Sequence, residues 1–321
     1  MNKSSSSARP DFIIVGQVTV DDVVPAWPGP WTRQVGGSSL YALAGARLWL
    51  DPGRIGLVAR VGRDYPFALE PLLRGAGLTH IALAAGPDEH PVEWLIYEPD
   101  GSRRSLPRNR ALLEAGENAW SSQAYDERQL AIAPTESDVP DAWLPAEALH
   151  LCPQAGMRHR DSVAALREYV RWISVDPSPH YSLGLSIDEL AQFLHGAAAF
   201  LPSAQQIRGL LQSVPAPAVA LNLHRAGFPE VLLRRGKLPM MLVCDEQIRK
   251  VPVASTSVID ATGAGDAFCG AYAACRVLGC RPFEAANRAA ASAALVVACS
   301  GVEAALQLTV PSPAPESPAV P

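Results

Sequence analysis

Short β-branched runs alternate along this chain with alanine- and leucine-rich segments whose apolar positions recur at the helical interval. Residues 12–15 give way to 40–49, then 55–61 to 66–75, and the exchange of periods continues toward the C-terminus. Strand and helix in alternation predict an α/β fold of three layers, a mostly parallel central sheet flanked by helices. A parallel neighbour needs a crossover long enough to hold a helix. Further strands are expected at 148–152, 172–175, 198–201, 218–223, 231–233 and 241–243, and helices beginning near Asp161, Ser186, Ser203, Ala267 and Pro282. Proline at 282 suits a first helical turn, where its missing N–H is not needed.

Two stretches break this rhythm. Residues 17–35 hold Trp27, Pro28, Gly29, Pro30 and Trp31, and residues 90–106 hold a predicted hairpin, VEWLIYEPDGSRRSL. In the Pro-Asp-Gly turn proline presets one dihedral and glycine accepts a positive one. The two segments are expected to leave the layered core and pair as a small β lid over one end of the sheet. Trp27, Trp31 and Trp94 then either cover an acceptor, pack the lid or form a dimer contact. Adjacent strand residues point to opposite faces, so at most one of Arg103 and Arg104 is expected to face a phosphorylated substrate.

Residues 1–9 are serine-rich and 310–321 dense in proline, so both read as tails around one folded unit spanning 10–309. A formal net charge of -5 provides no footprint for a nucleic acid or an anionic membrane. The six cysteines contain no C-x-x-C pair and read as free thiols. The histidines show no metal-ligand spacing, and no metal site of the protein's own is expected. No run of eighteen apolar residues occurs, and a cytoplasmic protein is expected.

The segment richest in chemistry is Val258-Ile-Asp-Ala-Thr-Gly-Ala-Gly-Asp-Ala-Phe268, which reads as a strand end, a tight turn and a helix start. Gly263 and Gly265 allow a sharp turn and close approach of a ligand. The amides of Ala264, Gly265 and Asp266 can converge on an anion at a helix N-terminus, where the dipole adds positive potential. Asp266, kept ionised by that field, suits a base that takes a proton from an alcohol lying in line with a phosphate. A glycine-rich connection with Asp266 as an N-cap is the plainer alternative, and the length of the string D-A-T-G-A-G-D-A-F weighs against it. A dinucleotide fingerprint fails because Phe268 occupies its third glycine position.

This string resembles the C-terminal signature of the phosphofructokinase-B/ribokinase family of carbohydrate and nucleoside kinases. VGQVTVDD is similar to the family's first strand, with Asp21 at the place of the aspartate that binds substrate hydroxyls. Gly36 and Gly37 in QVGGSSLYALAGARLWL resemble its Gly-Gly hinge, and RVGRDYPFALEPLLRGAGL places Asp64 in its familiar position. The resemblance implies ATP and Mg2+ as cofactors, a sugar, polyol or nucleoside acceptor, and a homodimer joined through the lid. It implies Asp266 as catalytic base, Gly263, Ala264 and Gly265 as anion hole, and Asp21, Gly36, Gly37 and Tyr41 as acceptor contacts. Thr262, Ser203, Gly236 and Lys237 fall on its nucleotide side, with a solvated loop lysine the favoured reading of Lys237, and Asp176 lies near the nucleotide cleft or serves a turn.

Three departures stand out. Tyr41 replaces a usual asparagine, which points away from ribose specifically; Ser203-Ala-Gln-Gln206 replaces the N-x-x-E element associated with magnesium; Gly236-Lys-Leu-Pro239 replaces a G-x-x-G. A kinase-fold binder with little turnover is therefore the alternative expectation.

Overall fold

The computed structural model describes residues 9–24, 30–98, 103–104, 122–154, 157–212 and 214–309. The two predicted tails, apart from Arg9, lie outside these residues, as do Trp27 and residues 105–106 of the second lid segment. The strands are β1 (Phe12–Val15), β2 (Thr19–Val24), β3 (Thr32–Gly36), β4 (Ile55–Val61), β5 (His80–Ala85), β6 (Val92–Tyr97) and β7 (Arg103–Arg104). They continue with β8 (Ala146–Leu151), β9 (Val170–Val175), β10 (Ala199–Phe200), β11 (Glu230–Arg235), β12 (Leu238–Cys244) and β13 (Gln247–Val251).

One sheet runs β13-β12-β11-β10-β9-β8-β1-β4-β5. Neighbours from β11 through β5 are parallel, and the β11–β12–β13 edge is antiparallel. β1 reads Phe-Ile-Ile-Val with every residue buried, because a central parallel strand is covered on both faces and needs no polar alternation. Phe12 and Ile14 pack toward the helices Ser38–Ala46 and Ala264–Val277, and Ile13 and Val15 toward Arg158–Leu166, Ile187–Phe193 and Ala216–Arg225. The edge strand β13, Gln-Ile-Arg-Lys-Val, exposes all but its last residue, and its charges discourage pairing with another chain.

A second sheet, β3-β2-β6-β7, forms the lid. β2 pairs in parallel with β6, setting Asp21 opposite Glu93 and Asp22 opposite Trp94, so the two interrupting segments do join. β6 and β7 pair antiparallel as expected, while the predicted Pro99-Asp100-Gly101 turn lies outside the described residues.

Two expectations are corrected. Residues 218–223 belong to the helix Ala216–Arg225, not to a strand. Val219, Leu221 and Leu223 imitate a period of two, but Pro217 opens a helical first turn, and the buried set Val219, Ala220 and Leu223 follows helical spacing. The helix expected at Ser203 starts at Arg208, since Ser203 forms a parallel bridge with Arg234 and residues 204–207 make a turn. β5 and β13 were not anticipated; both are edge strands without a buried run to mark them.

The helices Ser38–Ala46 and Ala264–Val277 cross at glycine. A Cβ at Gly45 would overlap the carbonyl of Ala267, and one at Gly270 the carbonyl of Ala42. Backbone rests on backbone there, which fixes the N-terminus of one helix against the other to within a side chain's width. Both helices begin at glycine turns on the same side of the sheet.

Candidate active site

The chain departs from β1 in both directions across the sheet, with β8 on one side and β4 on the other. Such a switch point opens a crevice beyond the carboxyl ends of the strands, and a cleft of about 600 Å³ lies there. Its walls come from Gln17 after β1, Pro153 and Gln154 after β8, Asp176 and Ser178 after β9, and Ser203 after β10. The lid contributes Thr19, Asp21, Glu93, Leu95 and Tyr97, and the turn 261–266 closes one end.

In that turn Gly263 takes φ +72°, a left-handed conformation that suits glycine, and a Cβ there would overlap the ring of Tyr41. The helix Ala264–Val277 starts immediately after it. The Ala264 N–H reaches Ala261 O only at 3.4 Å, and the N–H groups of Gly263 and Gly265 bond to no described residue. Thr262 N–H donates to Asp260 Oδ1 at 2.8 Å, which pins the approach to the turn. Open amides at a helix N-terminus are suited to an anion, and Asp266 stands half-buried in the same first turn.

The lid wall of the cleft is built by the alternation of its strands. Thr19 and Asp21 face the cleft, and Asp21 Oδ1 accepts from Thr19 Oγ1 at 2.6 Å. A Cβ at Gly36 would overlap the Asp21 carboxylate, which explains glycine there. Gly37, at φ +118°, lets the chain pass Val18. Asp22 points the other way and takes both Nε and Nη2 of Arg33 at 2.8 Å. β6 repeats the pattern: Glu93, Leu95 and Tyr97 line the cleft, while buried Trp94 meets Trp31 with ring centroids 6.0 Å apart. Trp31 and Trp94 therefore pack the lid and are not among the described residues lining the cleft.

Tyr41 lines the cleft with a buried hydroxyl that has no partner among the described residues. Burial and then the charges of Asp260 and Asp21 push its pKa well up, so it stays a phenol that can donate to a ligand. Both amide atoms of buried Gln154 are likewise unpartnered. Gln129 donates to Glu93, and Gln17 Nε2 donates to the Gln129 carbonyl at 2.7 Å. Tyr97 hydrogen-bonds with Asp260 at 3.0 Å and with Thr262, tying the lid to the glycine turn.

On the opposite wall Arg234 Nη2 donates to Asp176 Oδ1 at 2.6 Å and to Gln206 Oε1 at 3.2 Å. Gln206 Nε2 bonds Asp176 at 2.8 Å, and Ser203 N–H donates to Gln206 Oε1 at 2.6 Å. Burial pushes the Asp176 carboxyl up against the pull of Arg234 and Gln206. Burial would lower Arg234, but the adjoining Asp176 charge outweighs it and holds the guanidinium protonated.

Of the residues singled out from sequence, Asp21, Gly37, Tyr41, Ser203, Thr262, Gly263, Ala264, Gly265 and Asp266 all line this cleft, with Gly36 directly behind Asp21. Gly236 and Lys237 do not. They form the exposed β11–β12 turn, where Gly236 at φ +61° serves a tight hairpin. Asp64 accepts from the His90 backbone N–H at 2.6 Å, and His90 in turn bonds Gly62 and Val18, so Asp64 braces the entry to the lid strand. Arg234, Gln154, Glu93, Gln129 and Tyr97 were missed. Arg234 had a signal: a charge among Val231, Leu232 and Leu233 in a strand that had to be buried.

Among the described residues no three His, Cys, Asp or Glu side chains converge, and Asp176 is already occupied by Arg234.

With the geometry in view, comparisons place the chain. Residues 179–308 match the family model described as pfkB family carbohydrate kinase. A cytidine kinase of Thermococcus kodakarensis is 24% identical over 286 residues, covering 85% of this chain and 91% of that protein. Fructokinase with bound ATP from Xylella fastidiosa superimposes with a TM-score of 0.69 at 18% identity, covering 92% and 94% of the two chains. A Burkholderia thailandensis nucleoside kinase in complex with inosine gives 0.67 at 15% identity, covering 91% of each. These matches support the pfkB/ribokinase family of carbohydrate kinases as the one this chain resembles, with the family model covering its C-terminal part. No helix among the described residues is long and apolar enough to cross a membrane.

Proposed function

We propose that this protein transfers the γ-phosphoryl group of ATP to a hydroxyl of a small sugar, polyol or nucleoside. One observation carries the reading: unbonded amides at Gly263 and Gly265 sit beside Asp266 at the end of a cleft whose far wall offers Asp21. Phosphoryl transfer needs positioning and charge stabilisation more than covalent chemistry, and this arrangement supplies both. Asp266 takes the proton of the acceptor hydroxyl as its oxygen bonds to phosphorus. The bond from the γ-phosphorus to the β–γ bridging oxygen breaks, and its electron pair leaves with ADP.

Magnesium on this reading travels with the nucleotide and neutralises phosphate charge. Asp21, Glu93, Gln154 and the Tyr41 phenol provide the acceptor side with two carboxylates, an amide and a donor, a set suited to a polyhydroxylated molecule. Among relatives, the names cytidine kinase and nucleoside kinase with inosine favour nucleosides in the test. The lid, tied down through Tyr97, keeps competing water from the phosphoryl group.

The second reading is a binder without turnover, and Gln206 in place of a carboxylate favours it. ADP release, measured with ATP and Mg2+ over a panel of nucleosides, sugars and polyols, separates the two. Turnover with one acceptor class supports the kinase; ATP binding with no turnover on any acceptor supports the binder.

A further inference from the structure

We propose that Arg234 is a phosphate-contacting residue of the donor site, its Nη1 nitrogen facing the phosphate chain from beneath the glycine turn. This rests on the kinase reading given above and adds to it a fixed cation supplied by the protein itself.

Arg234 is only 9% exposed, yet its guanidinium is incompletely used. Nε donates to Leu201 O at 3.1 Å, and Nη2 serves Asp176 and Gln206, whereas Nη1 has no partner among the described residues. Nη1 lies against the backbone of Gly265, where an added Cβ would overlap it. Glycine at 265 thus accommodates the arginine as well as the turn. Arg234 lines the cleft, and Nη1 is the guanidinium nitrogen left to meet a ligand there, where a charged donor makes the stronger hydrogen bond.

Electrostatics point the same way. The N-terminus of a helix repels a cation, and the open amides of Gly263 and Gly265 add to that repulsion. Asp176, and more weakly Asp266, already offset that repulsion, and an anion in contact with both the guanidinium and the amides would gain from the two together. Phosphate is the matching anion, since guanidinium and converging amides both present N–H groups to its oxygens. Asp176 and Gln206 hold the guanidinium plane from behind, and because Gln206 is neutral it leaves more of the positive charge for the cleft than a carboxylate would.

The test is isothermal titration of the full chain with ATP, ADP and AMP, in buffer with EDTA and in buffer with Mg2+. The proposal expects the wild type to prefer ATP and ADP over AMP even in EDTA. An Arg234→Gln/Asp176→Asn double variant, which removes both buried charges together, should lose about tenfold or more in affinity for ATP and ADP while AMP changes little. If circular dichroism shows that this variant does not fold, Arg234→Lys decides. One ammonium cannot serve both Asp176 and a phosphate, so a selective loss for ATP is again expected. A wild type that binds no adenine nucleotide defeats the kinase reading and this proposal with it. A wild type that binds ATP, with folded variants keeping the same preference over AMP, overturns the arginine assignment alone.

Discussion

Replacing Gly263 with alanine tests the geometry of the anion turn without removing any polar group. Two separate penalties follow from the structure. At φ +72° alanine adopts a left-handed conformation, which costs on the order of 1–2 kcal/mol. The new Cβ also overlaps the Tyr41 ring, which is buried and packed, and forcing such a ring aside costs roughly 1–3 kcal/mol. Together the loss is about 2–5 kcal/mol, and thermal unfolding should shift down by roughly 4–10 °C for a domain of this size. The steric share is separable. Gly263→Ala combined with Tyr41→Ala relieves the overlap but not the dihedral, so the double variant should be less destabilised than the sum of the two single changes, measured as a double-mutant cycle by calorimetry. Strict additivity, or a Gly263→Ala variant within about 0.5 kcal/mol of wild type, would refute the placement of Tyr41 over the turn.

Two further outcomes are expected. Tyr97→Phe removes the hydroxyl that joins the lid to Asp260 and Thr262; loss of a bond to a carboxylate should raise KM for the acceptor about tenfold with a smaller change in kcat, and an unchanged KM would contradict lid closure through this contact. His150 and His159 are wholly buried, and desolvation, joined at His150 by the positive charge of Arg234, pulls them to about 3 and about 4. An unfolded histidine titrates near ~6.5, so as pH falls below that value the unfolded chain takes up protons that the folded one refuses. Stability is complete above that pH and declines toward pH 5, by roughly 2 kcal/mol for each of the two. Urea midpoints at pH 7.5 and 5.0 should show the decline, and His159→Gln should flatten it; equal midpoints would contradict the buried neutral assignment.

Much of the architecture could be read in advance because it rests on patterns local to the chain. β1 and β4 are apolar runs bounded by polar residues, and the D-A-T-G-A-G-D-A-F string names its own turn by where glycine is required. Pairing of the two lid segments followed from their shared departure from the helical rhythm. What escaped is mostly tertiary. The strand-like alternation of Val219, Leu221 and Leu223 loses to a proline-opened helix packed on the sheet, a competition that pattern alone does not weigh. Gly236 falls on the nucleotide side by register while Lys237 reads mainly as a solvated loop lysine, and both stand in an exposed hairpin turn. Arg234, Gln154 and Gln129 come to the cleft from three separate segments, and only their convergence marks them.

The central claim is that Asp266 accepts the acceptor's proton beside an amide anion site. Turnover of Asp266→Asn with the best acceptor, measured alongside ATP affinity by titration, tests it most directly. The account predicts turnover lowered by about a hundredfold or more with ATP affinity within a few-fold of wild type. Near-normal turnover with intact ATP binding would contradict it.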